Sequence, residues 1–163
     1  MEINNPRGIL LMALGFALFA VADTIAKVLL EYYPPVQVVF IRMLGLFWGV
    51  NLIMLYNLKW VGKTHNLSKQ LLRGFAQAGS AVSFLVGLRT IAIADATSIA
   101  FVAPLFVIIL SYLILKEPIG IRRWLAVIIG FSGTLIIIRP GFEIINIGHI
   151  FIIIAALLFA LRQ

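Results

Sequence analysis

Three charged residues near the start of the chain lie inside long apolar runs, and they are the side chains best placed to do chemistry. Asp23 and Lys27 interrupt the first run, and Arg42 interrupts the second. A charge within a membrane span is costly, so it is usually paired or functional. Asp23 could change its protonation or its partner as a cavity opens, while Lys27 or Arg42 receives an anionic group of a substrate.

The spacing of these residues predicts that they can meet. Counted from Gly8, Asp23 lies about 22 Å along the first span, and Arg42 lies about 9 Å into a second span that starts at Val36 and runs back. These depths coincide in a hydrocarbon core of about 30 Å, and Lys27 shares a helix face with Asp23. One alternative is an ion pair or triad that docks the two spans. The other is a group that binds substrate or couples transport to protons.

Further candidates for substrate binding or coupling lie in the first, third and fourth spans. Phe16 and Phe19 share the face of Asp23 and would form an aromatic wall beside it, although lipid-facing packing is equally compatible. Gln77 and Ser80 need a polar neighbour within the membrane, which favours a cavity. The remaining candidates are Arg89, Thr97 and Pro104.

Pro104 interrupts the middle of the fourth span. It removes one backbone hydrogen bond and should kink that helix shortly after Thr97. A kinked helix can line a cavity or move, and it can equally be static.

The charged residues near the outer side of the membrane favour an anionic or zwitterionic substrate. The cations there, Lys27, Arg42 and Arg89, outnumber the acids, Asp23 and Asp95. Amino acids and nucleoside-like metabolites are the first candidates.

The composition requires a membrane protein. Hydrophobic residues make up 63% of the 163 positions and charged residues 12%, whereas a soluble domain carries about 25% charged residues. The net charge of +7 does not indicate a nucleic-acid partner, because the basic residues lie mainly between apolar runs and no basic patch is interleaved with aromatic residues.

Catalytic and metal chemistry find little support in the sequence. There are no cysteines, which excludes thiolate metal sites and cysteine nucleophiles. The two histidines, His65 and His149, lie in predicted loops far apart along the chain. With no phosphate-binding glycine loop and no clustered carboxylates, we expect neither an enzyme, nor a metal site, nor a cofactor.

The elements that position the candidates are membrane helices, which need about 20 apolar residues each. The pattern predicts an all-α, polytopic transmembrane helical bundle with five spans and part of a sixth. Turns are predicted at Pro34-Pro35 and Asp95, and a loop from Asn57 to Lys69. The spans are Gly8 to Leu30, Val36 to Tyr56, Leu71 to Ile93, Thr97 to Leu115, Trp124 to Ile138 and Gly148 to Leu161.

Small residues recur at helical spacing in two spans. Gly79, Ser83 and Gly87 follow one another every four residues, and Gly45 with Gly49 forms a GxxxG pair. Small residues at this spacing let helix backbones approach closely. We expect these positions to pack helix against helix.

The basic residues predict the orientation of the spans. With the N-terminus in the cytoplasm, eight basic residues are inside and two, Arg89 and Arg139, are outside, as the positive-inside rule requires. The predicted location is a cytoplasmic membrane. A cleavable signal ending at Ala22 is the alternative for the first run, but the helical pattern continues beyond it to Leu30. The inside residues are Arg7, Lys59, Lys63, Lys69, Arg73, Lys116, Arg122 and Arg123.

The last apolar run repeats the first at an offset of 140 residues. Gly8 aligns with Gly148, and Leu18-Phe19-Ala20 aligns with Leu158-Phe159-Ala160. Five spans separate the two starts, so the second copy would enter the membrane from the opposite side. Such an inverted-topology repeat is the architecture of many secondary transporters.

Residues 8 to 141 resemble the EamA-type repeat of the drug/metabolite transporter superfamily. The resemblance depends on Lys27, on Arg42 after the proline turn, and above all on the order of motifs between Thr97 and Gly141. These are Pro104, Lys116-Glu117-Pro118, Gly130, Gly133 and Arg139-Pro140-Gly141. The resemblance implies two repeats, ten spans and a central cavity for small metabolites.

We therefore interpret residues 1–141 as a first repeat and residues 142–163 as a linker and the start of an incomplete second repeat, one half of an inverted-repeat transporter. The expected partners are a small-molecule metabolite, the lipid bilayer, and a second repeat or a homodimer partner. The predicted function is secondary transport by alternating access. The alternatives are a non-transporting fragment or partner subunit, and a half-size transporter acting as a dimer.

Overall fold

The computed structural model describes residues 5–57, 66–116, 120–138 and 146–163, and each regular element in these ranges is a helix. The predicted all-α class is confirmed. A π-helical turn, Ser111–Leu115, extends α5. The helices are α1 (Asn5–Leu29), α2 (Pro35–Asn57), α3 (Leu67–Thr90), α4 (Ile93–Ala100), α5 (Ala103–Leu110), α6 (Ile121–Ile138) and α7 (Ile147–Leu161).

The helices have the character of membrane spans. Four described stretches are long and apolar enough to cross a bilayer, namely α1, α2, α3 and the combined α4–α5 segment, and the apolar helices α6 and α7 are shorter. Large apolar side chains such as Leu10, Trp48 and Leu72 are exposed on the bundle, where hydrocarbon would surround them. The chain is a multi-pass helical membrane protein.

The fourth predicted span is interrupted near its proline. The helix stops at Phe101 and Val102 and restarts as α5, with Pro104 in its first turn. Proline is tolerated there because the first N–H groups of a helix lack intrahelical partners. The helix is therefore interrupted where a kink is predicted, two residues before Pro104.

The turn predicted at Asp95 is wrong, because the chain turns earlier. Ile91 and Ala92 have extended backbones between α3 and α4. Asp95 instead lies in the first turn of α4, where a carboxylate interacts favourably with the helix dipole.

Helix α3 packs more extensively against α7 than against any other described helix. The two run antiparallel, because Gly87 near the end of α3 contacts Gly148 at the start of α7, and Gly79 lies beside Leu158. The predicted packing is confirmed at Gly79 and Gly87. It is wrong for Gly45 and Gly49, where an added Cβ would meet no described atom within 4 Å.

The apolar core lies at one end of the bundle, which we call the closed end. Here α1 and α3 end and α2, α4 and α7 begin. Side chains from all five helices are buried together, so this end is sealed by packing. The core residues are Ala26, Leu30, Val38, Val39, Leu85, Leu88, Ile91, Ala96 and Ile152.

His149 lies in the first turn of α7, so its predicted place in a loop is wrong. Its Nδ1 accepts a hydrogen bond from the backbone N–H of Asn146, at 3.0 Å, which satisfies a donor at the helix start. His65, most of the loop predicted from 57 to 69, Glu117 and the 139–141 motif lie outside the described residues.

Candidate functional site

A cavity of about 460 Å³ lies between the helices next to the core. Val39 and Leu85 belong both to its wall and to the core, so the core covers its end nearest the closed end of the bundle. The wall is mostly apolar or small. The polar and charged side chains among the described lining residues are Asp23, Arg42, Gln77, Ser80 and Arg162.

Asp23 and Arg42 meet in this cavity. Nη1 of Arg42 donates to Oδ1 of Asp23 at 2.8 Å, with the aspartate side chain 7% and the arginine side chain 28% exposed. The two meet because α1 and α2 run in opposite directions on either side of the turn at Pro34. The Arg42 guanidinium also lies 5.0 Å from the centre of the Phe19 ring, within cation–π range.

Lys27 does not join this pair. Its ammonium donates to the carbonyl of Leu88 and, at 2.8 Å, to the carbonyl of Ile91. These carbonyls belong to the last turn of α3 and to the residue that follows it, where unpaired acceptors attract a cation. Lys27 therefore ties the end of α1 to the end of α3, and it does not line the cavity.

The other charged group of the cavity comes from the end of α7. The guanidinium of Arg162 donates to Oε1 of Gln77 on α3 and lies 4.3 Å from the centre of the Phe159 ring. Ser80, one turn along α3 from Gln77, donates to the carbonyl of Ala155 at 2.8 Å. Gln77 and Ser80 of α3 thus line the cavity and also hydrogen-bond to α7 or to the residue that follows it.

Besides Lys27, four predicted site residues do not line the cavity. Phe16 is 65% exposed, and Arg89 is exposed at the closed end. The hydroxyl of Thr97 is used locally, donating to the carbonyl of Ile93 at 2.9 Å. Pro104 is exposed. Ala100 and Ala103, the residues that flank the break in the helix, line the cavity.

Sequence reasoning missed Arg162 and Phe159. The repeat at an offset of 140 residues held a signal for the second, because it pairs Phe159 with Phe19. Each of these rings carries an arginine over it in the structure. No comparable signal marks Arg162, because a cation after an apolar run is typical of any span end.

Comparison with known proteins identifies the family of the chain. A model of the EamA-like transporter family matches residues 6–139. The chain belongs to the EamA-like transporter family. The family match includes every cavity residue except those of α7 and Arg162.

Individual EamA-like relatives agree with this assignment. The chain is 28% identical over 158 residues to an S-adenosylmethionine uptake transporter of Rickettsia prowazekii, covering 94% of this chain and 52% of that protein. It is 25% identical over 161 residues to a riboflavin transporter of Rhizobium johnstonii, covering 94% and 53%. A Rickettsia bellii S-adenosylmethionine uptake transporter is 34% identical over 99 residues, covering 61% and 34%.

This EamA-like chain thus spans about half the length of the relatives that it matches over most of its residues. No solved structure matches the chain.

Proposed function

We propose that the chain forms one half of a secondary transporter that moves a small metabolite across the cytoplasmic membrane by alternating access. The observation that carries the proposal is the cavity of about 460 Å³ between the spans. Its volume suits a small metabolite, and it combines apolar and aromatic walls with a few convergent polar groups.

The asymmetry of the bundle supports alternating access. The core seals the cavity from the closed end, and Lys27 adds a polar tie between α1 and α3 at the same end. A site covered on one side is what one state of an alternating-access carrier requires. With the N-terminus in the cytoplasm, as the loop charges favour, the closed end faces outward.

The direction of α7 supports an inverted second repeat. Lys27 brings the end of α1 to the end of α3, and Gly148 brings the start of α7 to that same end. The start of α7 therefore lies where α1 ends, and the two helices that share the repeated motif run in opposite directions. The proposal is a first repeat in residues 1–141, followed by the opening of a second.

The relatives supply the substrates to try first. Their names give S-adenosylmethionine and riboflavin, and each of these molecules carries a planar heterocycle that suits the aromatic rings of Phe19 and Phe159. We propose uptake of a metabolite with such a ring system.

The test is uptake of radiolabelled S-adenosylmethionine and riboflavin into proteoliposomes. One preparation contains the 163-residue chain, and a second contains a longer version in which the second repeat is completed after Gln163. We expect saturable uptake with the longer version. Saturable uptake with the chain alone would show that it assembles into a working carrier by itself. Failure of both versions to take up either substrate would contradict the proposal.

Two alanines of α3 give a matched control for the use of the cavity. Ala81 lines it, whereas Ala78, three residues earlier, is exposed. Ala81→Phe should abolish uptake by filling the cavity, and Ala78→Phe should leave it unchanged. Equal uptake by the two variants would place the transport route elsewhere.

A further inference from the structure

The charges of the cavity do not balance. Among its described lining residues, Asp23 carries one negative charge, while Arg42 and Arg162 carry two positive charges. The ion pair of Asp23 with Arg42 uses the single carboxylate. Arg162 is left as a cation in an apolar cavity, where an uncompensated charge is costly.

Within the described part of the chain, the hydrogen-bond partner and the ring partner of Arg162 are both neutral. Its guanidinium has the side-chain oxygen of Gln77 as a hydrogen-bond partner and the ring of Phe159 as an apolar face. Its Nε is buried and has no hydrogen-bond partner within the described part of the chain. A guanidinium offers five N–H donors in a planar fork, so this one can donate to acceptors besides Gln77.

The surroundings of Arg162 increase the positive potential. Arg73, one helical turn before Gln77 on α3, interacts repulsively with it. Arg42 provides the internal comparison, because it lies over Phe19 as Arg162 lies over Phe159, yet it has a carboxylate partner. Both arginines therefore lie over a phenylalanine ring, but among the described residues only Arg42 has an anionic partner.

We infer that Arg162 receives an oxyanion, a carboxylate or a phosphate, of the transported metabolite. The inference depends on the proposed transport function and narrows its substrate to a molecule with a planar body and one such group. The oxyanion takes bidentate hydrogen bonds from the guanidinium fork, and the planar body lies towards Phe19 and Phe159. The bound oxyanion then compensates the excess positive charge of the described cavity lining.

The experiment is equilibrium binding to the purified 163-residue chain in dodecyl maltoside, which has no anionic headgroup to occupy the site. Two pairs of probes differ only in the oxyanion. S-adenosylmethionine is compared with decarboxylated S-adenosylmethionine, and riboflavin 5′-phosphate is compared with riboflavin. In at least one pair we expect the oxyanion form to bind about tenfold more tightly or better, as a charge-assisted hydrogen bond provides. The pair that shows the preference distinguishes carboxylate from phosphate.

Substitution assigns this preference to Arg162. Arg162→Gln should remove it, and Arg162→Lys, which keeps the charge without the fork, should retain part of it. Arg122→Gln is the control, because Arg122 is exposed at the start of α6 and its substitution should change nothing. Helix content and elution volume show that each variant is folded.

Several outcomes would overturn the inference. These are equal affinities within both pairs, a preference that survives in Arg162→Gln, and failure of the chain to bind any of the four probes. Riboflavin uptake by the longer version separates this result from the transport proposal. If uptake persists while no oxyanion preference is found, transport stands and the role of Arg162 falls.

Discussion

The carboxylate of Asp23 and the guanidinium of Arg42 form an ion pair between α1 and α2, with 2.8 Å between Oδ1 and Nη1. Asp23 is almost fully buried. Both helices pack against α3, so the pair completes the wall of the cavity near the core. It therefore has two possible tasks, holding the helices together and responding to what enters the cavity.

The docking task predicts a coupled loss of stability. Asp23→Asn should lower the free energy of unfolding by about 2 kcal/mol, because it leaves the Arg42 guanidinium without its charged partner. Arg42→Gln should have a similar effect. The double variant should lose clearly less than the sum of the two single losses. Denaturant unfolding in detergent measures all three, and strictly additive losses would show that the pair contributes no coupling energy.

The coupling task predicts a change in pH dependence. If Asp23 exchanges a proton during transport, Asp23→Asn should give uptake that no longer varies with pH, because an amide does not titrate. Initial rates of substrate uptake into proteoliposomes that contain the longer version, measured across a pH series, test this. Asp95→Asn is the control, since Asp95 does not line the cavity. A pH profile unchanged in Asp23→Asn would remove proton coupling through this residue.

Lys27 is predicted to stabilise the closed end without binding substrate. Lys27→Gln should destabilise the protein by about 1–2 kcal/mol, since the carbonyls of Leu88 and Ile91 lose a cationic donor. The KM for uptake by the longer version should stay within about twofold of the value without the substitution, which is the small change expected when no substrate contact is lost. Thermal unfolding and uptake kinetics together test this. A large rise in KM with unchanged stability would return Lys27 to the binding site.

The two phenylalanines of α1 should differ in effect. Phe19→Ala should raise KM about fivefold, the loss expected for a cation–π contact and aromatic wall worth about 1 kcal/mol. Phe16→Ala should leave KM unchanged, because Phe16 does not line the cavity. Measurement of KM for uptake by the two variants tests this difference. An equal effect of both would mean that the exposed face of α1 also contacts substrate.

Close packing of α3 on α7 should depend on Gly87. A Cβ at this position would come within 2.7 Å of the carbonyl oxygen of Gly148, so the helices would have to move apart. Gly87→Ala should therefore cost about 2 kcal/mol of stability. Gly45→Ala should be neutral or slightly stabilising, because the space around Gly45 is open among the described residues and alanine favours helix. Thermal unfolding compares the two, and equal midpoints would contradict the contact.

The spans were largely predictable because hydropathy acts locally. The boundaries predicted for the second span, Val36 to Tyr56, differ from the structure by one residue at each end. The greatest difference is at the start of the third and fourth spans, where α3 and α4 begin four residues earlier than predicted. Polar residues such as Lys69 continue a helix beyond the apolar run, and hydropathy does not register them.

The meeting of Asp23 with Arg42 was also predictable, because antiparallel spans joined by a short turn bring equal depths together. The hydrogen-bond partners of Lys27 were not predictable. Its spacing from Asp23 fixes only a helix face, and its ammonium reaches carbonyls that follow it by more than 60 residues. Such a contact depends on the docking of α1 against α3.

The sequence by itself determined the class, the approximate spans and the family, since apolar composition, span length and motif order are properties of the chain. Only the tertiary structure decided which polar side chains share the cavity. It brought in Arg162 and Phe159 from α7 and left Phe16, Lys27 and Arg89 outside. The physical reason is that the rotation and depth of each helix are set by packing across helices. Contacts such as that between Gly87 and Gly148 fix α7 against α3, and a linear pattern does not encode them.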